Sequence, residues 1–372
     1  MTRPKAVVAM SGGVDSSVSA ALLKDEGYDV TGIMLKLWKG DDMNNNSGCC
    51  NLGAAEDARR VADVLDIPFY VFNFAERFEK TVIADFDRTY ASGQTPNPCV
   101  RCNQWIKFDA LLDRAKQLGA EVLATGHYAR VEQDGGRYRL MRGADRAKDQ
   151  SYVLWMLSQE DLRHTRFPVG TIEKSETRRI ATELGLRTAA KPDSQEICFV
   201  RDGNLDAYLS DKVEAANHPG PITDRDGRVV GQHRGVGRYT IGQRKGLGIS
   251  LGVPIYITGI DAASNAIQVG DRSDLEVSSC TLSEVSFVNE PPSDGEEILV
   301  QYRSHGDVSP ARLDNGSGWK VDFEAPVEAV APGQSAVFYR GANPEEVLGG
   351  GIISATGRIG SAAQAGEAPQ VA

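Results

Sequence analysis

The stretch Ser11-Gly12-Gly13-Val14-Asp15-Ser16-Ser17 constrains this chain more than any other. Ahead of it runs Ala6-Val7-Val8-Ala9-Met10, an apolar run of strand length with β-branched residues. Behind it Val18, Ala21 and Leu22 recur at helical spacing, and the pattern continues to Gly27. The motif therefore forms a tight turn that leaves a buried strand and opens a helix. Its two glycines let the backbone turn sharply and approach a ligand closely. The N–H groups at the helix start, with the helix dipole, favour an anion. Ser11, Ser16 and Ser17 add hydroxyl donors. Asp15 is a poor direct ligand for phosphate, so its expected role is to hold a divalent metal between phosphate oxygens. No Gly-Lys-Ser/Thr follows, which excludes the lysine-bearing phosphate loop. The plainer reading is a glycine turn with a Ser/Asp helix cap.

The next segments alternate. Strands are expected at Asp29 to Trp38, Phe69 to Phe72 and Glu121 to Thr125. Helices are expected at Gly53 to Leu65, Phe78 to Tyr90 and Trp105 to Leu118. This order implies an α/β fold, a Rossmann-like parallel sheet covered on both faces, with its ligand beyond the carboxyl ends of the strands. Leu35, near the end of the second strand, is placed to pack a ligand at that edge, although ordinary core is the simpler reading. Gly126, after the fourth strand, lets a ligand approach. Val131 to Arg142 alternates around Asp134-Gly135-Gly136 and reads as a hairpin. Lys148 to Tyr152 reads as a solvated loop, Thr177 to Leu186 as a helix, and Lys191 to Val200 as a loop entering a strand.

The 372 residues exceed one ordinary core, so several domains are expected. Hydrophobic content of 41% and charged content of 25% are those of a globular protein. With no apolar run of membrane-spanning length and no signal peptide, the expectation is a cytoplasmic protein with no membrane partner. The composition shifts after about residue 203. Between Gly227 and Ile260 stand Arg228, Arg234, Arg238, Arg244 and Lys245, with no Asp or Glu. Such a basic stretch can dock phosphates despite a net charge of −10, because screening confines each charge to about 8–10 Å. Short alternating segments then continue to about Ile353, as in a small β-barrel. The expected division is 1–203, a catalytic domain built on the phosphate turn; 204–265, a central module; 266–358, a C-terminal β-barrel; and 359–372, a disordered tail.

Thr95-Pro96-Asn97-Pro98-Cys99-Val100-Arg101-Cys102-Asn103 is the second informative stretch. Its prolines stiffen an exposed loop, and a helix starting just after it would lower a thiol pKa. Cys198 lies in a further run, Asp193 to Phe199. A lone C-x-x-C serves equally as half a zinc site or as reduced structural thiols. No second pair and no histidine spacing completes a zinc finger. Cys280 reads as core.

The opening motif resembles the PP-loop, S-G-G-x-D-S, of N-type ATP pyrophosphatases. From residue 5 to about 356 the chain resembles the bacterial tRNA-specific 2-thiouridylase family. The resemblance rests on Gly12 to Ser17, Thr95 to Pro98, Ala124 to Tyr128, Lys148 to Tyr152, Ile197 to Phe199, Gly242 to Gly248 and Pro332 to Val337. It implies ATP, with Mg²⁺ at its phosphates, held by Ala9, Met10, Ser11, Gly12, Gly13, Val14, Asp15, Ser16, Leu35 and Gly126. It implies tRNAs for Lys, Glu and Gln as partners, recognised at the anticodon loop, with C2 of the wobble uridine, position 34, first adenylated and then thiolated. Asn97, Pro98 and Cys99 would line the flipped-out base. His127, Lys148, Asp149, Gln150, Tyr302, Arg303 and Gln334 match the family's tRNA contacts. Cys198 would carry sulfur as a persulfide, and Cys102 would release it through a transient disulfide. A cysteine desulfurase or sulfur-relay protein would supply the sulfur.

One departure matters. Part of the family has aspartate where this chain has Cys99. Cys99, Cys102 and Cys198 would suit a [4Fe–4S] cluster with one open iron site. Cys49 and Cys50 are either extra ligands or buried thiols. A third thiol with no ligand role beside two reactive ones is an oxidation liability, which favours the cluster over the relay. The rival functions are a PP-loop ligase acting on a small metabolite, a tRNA-binding module without chemistry, and an Fe–S redox protein. No glutaminase-like segment supports the first. The intact PP-loop argues against the other two.

Overall fold

The computed structural model describes residues 3–37, 52–193, 196–250, 252–293 and 295–358. Trp38, Cys49, Cys50 and the tail 359–372 lie outside them, as do Ser194 and Gln195 of the Cys198 run.

Strand β1 (Lys5–Ala9) runs through the PP-loop into helix α1 (Val14–Asp25). β2 (Asp29–Lys36), α2 (Leu52–Val64), β3 (Phe69–Asn73) and β4 (Val122–Ala124) follow. These strands and a two-residue β7 (Thr165–Arg166) make a parallel sheet in the order β3-β2-β1-β4-β7. The β1 sequence accounts for its two covered faces. Ala6 and Val8 pack with Val14 and Val18 of α1, whereas Val7 packs with Ile33, Phe78 and Ile106 on the opposite face. β7 is too short to leave a sequence pattern.

Two expectations need correction. The cysteines were expected on an exposed loop ahead of a helix, but the helix spans 98–117 and begins at Pro98. The Asn97 side chain caps it, accepting the Val100 N–H at 3.3 Å, and proline suits the first helical position. Cys99 and Cys102 therefore sit on its first turns. Nor does Lys191–Val200 enter a strand. The Val200 N–H turns back to the Ile197 carbonyl at 3.0 Å, and Phe199 and Val200 bury themselves in the core beside the helices 75–91 and 98–117.

The hairpin is present as β5 (Ala129–Asp134) and β6 (Arg137–Arg142). The central module is a four-stranded sheet of β8 (Gly220–Thr223), β9 (Val229–His233), β10 (Tyr256–Asp261) and β11 (Ala266–Gly270), in the order β10-β11-β8-β9. β11 pairs along β10 from Ala266 to Gly270, so a boundary at 265 would cut this sheet.

Six strands then close a barrel: β12 (Glu276–Phe287), β13 (Glu297–Gln301), β14 (Ser309–Asp314), β15 (Lys320–Glu328), β16 (Ser335–Arg340) and β17 (Asn343–Arg358). Their order is β12-β15-β14-β13-β16-β17, and β17 returns to pair with β12. Ile298, Val300, Val321, Phe338 and Ile353 fill it. Cys280 is in that core as expected, and burial pushes its thiol up to about 12.

The barrel does not stand apart from the first unit. β6 pairs with β17, Leu140 opposite Val347, and both side chains share a core with Val7 and Ile33. The segment expected as a solvated loop ends in this junction. Ser151 and Tyr152 are buried, the Tyr152 hydroxyl donates to the Ser335 carbonyl at 2.9 Å, and the Trp155 indole N–H donates to Ser335 Oγ at 3.1 Å.

Candidate active site

The PP-loop closes on itself. The Ser11 N–H donates to Ser16 Oγ at 3.2 Å, and the hydroxyls of Ser16 and Ser17 donate to the Gly13 carbonyl at 3.2 and 2.8 Å. Gly13 stands in the capping position of α1 with no side-chain cap on its N–H groups, so the helix presents uncapped donors at its positive end. Gly12 has φ +72°, and a Cβ there would lie 2.3 Å from the Ala54 carbonyl oxygen. Gly126 approaches from β4, and a Cβ on it would lie 2.6 Å from the Ser16 nitrogen. Met10, Val14 and Ser16 are buried, Ala9 is partly buried, and Ser11 is exposed. Leu35 is buried in the core cluster with Ile33 and Leu37.

Asp15 has company that the sequence did not announce. Lys174, at the start of helix Lys174–Glu183, donates to both Asp15 oxygens at 2.7 and 2.8 Å, and the Tyr128 hydroxyl lies 2.9 Å from Oδ1. The Lys174 ammonium also pairs with Asp193 at 2.8 Å. Asp193 in turn holds Lys148 at 2.8 Å and Arg178 at 3.1 Å. Burial opposes ionisation of Asp193, but the hydrogen-bonded ammonium groups of Lys148 and Lys174 override it and bring its carboxyl down to about 2. Lys191 donates to the Gly12 carbonyl at 2.9 Å and pairs with Asp57 at 3.0 Å. The phosphate end of the site is thus ringed by cations from distant elements. Lys174 is 159 residues from Asp15, and no local pattern marks it.

His127, Lys148, Asp149 and Gln150 come together around Tyr128. Gln150 Oε1 accepts the Tyr128 N–H at 3.0 Å, and Asp149 accepts the Gly143 and Ser151 N–H groups at 3.0 and 3.1 Å. His127 is buried between Phe108 and Phe167, with Nδ1 2.7 Å from Thr125 Oγ1 and Nε2 3.5 Å from Lys107. Burial and the nearby Lys107 charge hold its pKa well below the usual value, so it is a neutral imidazole. Gln334 reaches the cysteine segment. Its Nε2 donates to the Thr95 and Pro96 carbonyls at 2.9 and 3.1 Å. Tyr302 is buried, and Arg303 lies over its ring at 5.1 Å.

The cysteines separate into two groups. Cys102 and Cys198 both pack against the core cluster that contains Leu35, Val100 and Phe199, whereas Cys99 is exposed. No disulfide joins the described cysteines. Among the described residues no three His, Cys, Asp or Glu side chains converge closely enough to hold a metal ion. Cys99, Cys102 and Cys198 form no such group. Cys99 stands on the first helical turn, on the solvent side, while the other two turn to the core.

A parallel sheet whose first turn is a PP-loop, in a unit that also carries partly buried thiols, defines a nucleotide-activating α/β unit with sulfur-competent side chains. Three family models match in succession: a tRNA methyl transferase HUP domain over residues 4–202, a tRNA methyl transferase PRC-barrel domain over 206–271 and an aminomethyltransferase beta-barrel domain over 277–353. The tRNA-specific 2-thiouridylase MnmA of Clostridium perfringens is 44% identical over 361 residues, covering 95% of this chain and 99% of its own. That of Roseiflexus sp. is 48% identical over 375 residues, covering 94% and 99%. This chain belongs to the tRNA-specific 2-thiouridylase family. A 4-thiouridine synthetase–RNA complex with bound ATP overlaps 56% of this chain and 50% of that one, with TM-score 0.35 and 17% identity, too slight a likeness to argue from. No described helix is long and apolar enough to cross a membrane.

Proposed function

We propose that this chain is a cytoplasmic tRNA-uridine 2-sulfurtransferase that uses ATP to activate C2 of uridine 34 in tRNAs for Lys, Glu and Gln. The observation that carries the reading is the presence, in one α/β unit, of an uncapped PP-loop helix and of Cys102 and Cys198 packed against the core. In the first step the C2 oxygen attacks the α-phosphate and pyrophosphate leaves. The N–H groups of α1 and the hydroxyls of Ser11 and Ser16 orient the phosphates, and Lys174 and Lys191 balance their charge. The Asp15 carboxylate at the same helix end would be the protein ligand for Mg²⁺ once Lys174, which now holds both of its oxygens, turns to the phosphates; Mg²⁺ binds through one or two carboxylates plus phosphate and water oxygens. When bound, Mg²⁺ would neutralise charge on the phosphate oxygens.

In the second step the terminal sulfur of a Cys198 persulfide attacks C2, and AMP leaves with the former C2 oxygen. The Cys102 thiolate then attacks Cys198 Sγ. The S–S bond to the transferred sulfur breaks, 2-thiouridine is released, and a Cys102–Cys198 disulfide remains for a cellular thiol to reduce. A desulfurase or relay protein restores the persulfide. The separation of Cys99 from the core favours this relay over a cluster. Asn97, Pro98 and Cys99 then border the extruded base, and exposed Arg244 and Lys245 dock tRNA phosphates.

The test supplies ATP, a sulfur donor and unmodified tRNA and measures pyrophosphate, AMP and 2-thiouridine. Cys198→Ser and Cys102→Ser should abolish thiolation, while Cys99→Ser keeps much of it. Equal loss in all three variants, together with loss of bound iron from anaerobically purified protein, would refute the relay. No thiouridine from the parent protein would refute the function.

A further inference from the structure

Arg101, one of the two residues between the helix cysteines, reaches out of the nucleotide-binding unit. Its side chain is buried, and its two terminal nitrogens donate to the two carboxylate oxygens of Glu284, each at 2.6 Å. Nε donates to Asp85 at 3.2 Å, and the guanidinium carbon lies 4.7 Å from the Trp105 ring centre. Glu284 belongs to the barrel, 183 residues further along the chain. It sits where the β12–β17 register slips between Ser283 and Ser286, with φ +50°, a backbone state uncommon for a residue with a side chain. The slip aims this carboxylate at the cysteine helix. On the other flank the Thr95 N–H donates to the Pro332 carbonyl at 2.8 Å, and Gln334 holds the Thr95 and Pro96 carbonyls. The barrel thus grips the cysteine segment at both ends, and a cleft of about 310 Å³ opens between the two grips.

We propose that Arg101 and Glu284 are positioning residues, through which the C-terminal barrel sets the orientation of the helical turn that carries Cys102. The inference rests on the sulfur-transfer reading above. Helix ends leave unpaired backbone groups and fray, and the side-chain cap at this one is Asn97. A bidentate guanidinium–carboxylate pair fixes rotation as well as distance, which a single hydrogen bond does not. Cys102 follows Arg101 directly, so any tilt of this turn moves its sulfur. Misplacing a reacting group by 1 Å costs up to about 100-fold in rate.

The test compares Glu284→Gln with the parent protein. Thiolation kcat should fall about tenfold, while the single-turnover burst of pyrophosphate stays within about twofold, because adenylation does not use Cys102. Alkylation of Cys102 by iodoacetamide, followed by peptide mapping in protein without ATP or tRNA, should change at least about threefold, with buried Cys280 protected in both. This readout needs no activity, so it tests the clamp even if the parent proves not to thiolate tRNA. Arg101→Met combined with Glu284→Leu replaces the pair with apolar groups and guards against a folding defect. It should still fold, because Arg88 keeps Asp85 paired at 2.6 Å, yet thiolate slowly. Parent-like thiolation in the double variant, parent-like Cys102 alkylation in Glu284→Gln, or an equal fall in pyrophosphate burst and thiolation would overturn the proposal.

Discussion

Replacing Gly126 by alanine tests how closely β4 supports the PP-loop. A Cβ at this position would lie 2.6 Å from the Ser16 nitrogen, 2.8 Å from the Asp15 carbonyl carbon and 2.9 Å from Asp15 Cβ. Ordinary contact begins at 3.4 Å, so the first turn of α1 must retreat by 3.4 − 2.6 = 0.8 Å. Two of the three obstructing atoms are backbone, so no rotamer change relieves the clash. Overpacking of this kind costs about 1–3 kcal/mol. In a unit of this size each kcal/mol moves Tm by about 2–4 °C, so a fall of between about 2 and 12 °C is expected. The functional effect should be larger in proportion. The N–H groups that would hold phosphate lie on the turn that moves, and a shift approaching 1 Å costs about 10- to 100-fold in kcat/KM for ATP. Pyrophosphate release at saturating tRNA and ATP affinity by calorimetry measure it, with scanning calorimetry for Tm. A variant that binds ATP and releases pyrophosphate as the parent does would show that this glycine does not support the nucleotide site.

Asp15→Ala should abolish pyrophosphate release and also lower stability by about 1–3 kcal/mol, because it strips a partner from the nearly buried Lys174 ammonium. Asp15→Ala with Lys174→Met should recover most of that stability and none of the activity, as read by calorimetry and pyrophosphate assay. Charge reversal at Arg244 and Lys245 should weaken tRNA binding and flatten its salt slope by about 1.5–2, checked by filter binding across salt concentrations. Arg228, Arg234 and Arg238 should matter less, because Asp226 and Asp206 already engage them. His127 should remain neutral as the pH falls through 6.5, its imidazole titrating in NMR only well below the usual value. Its depressed folded pKa means that the unfolded chain takes up the proton first. Its contribution to stability is therefore full above the unfolded value near 6.5 and declines as the pH drops below it. His127→Phe should remove that part of the pH dependence of Tm.

The parallel sheet and the phosphate turn were legible because their signals are local. An apolar run, two glycines and a helical repeat occupy about twenty consecutive residues, and the physics of a helix N-terminus needs nothing from elsewhere. The hairpin at Asp134-Gly135-Gly136 was legible for the same reason. The helix start at Pro98 was also written locally, in the Asn-Pro pair, but the prolines were read as loop stiffeners. Tertiary structure alone determined the partners. Lys174 reaches Asp15 across 159 residues, and Glu284 reaches Arg101 across 183. Neither lysine nor glutamate carries a periodic or turn signal, because an ion pair requires only that two side chains meet in space. The same limit explains Lys148 to Tyr152, whose polar composition spoke for solvent while Tyr152 and Trp155 were buried by a strand that arrives nearly two hundred residues later. It explains the cysteines as well. Their spacing placed Cys99 and Cys102 on one short segment, but which thiols face the core depends on how the helix 98–117 packs. That packing turns Cys102 and Cys198 inward and leaves Cys99 at the surface.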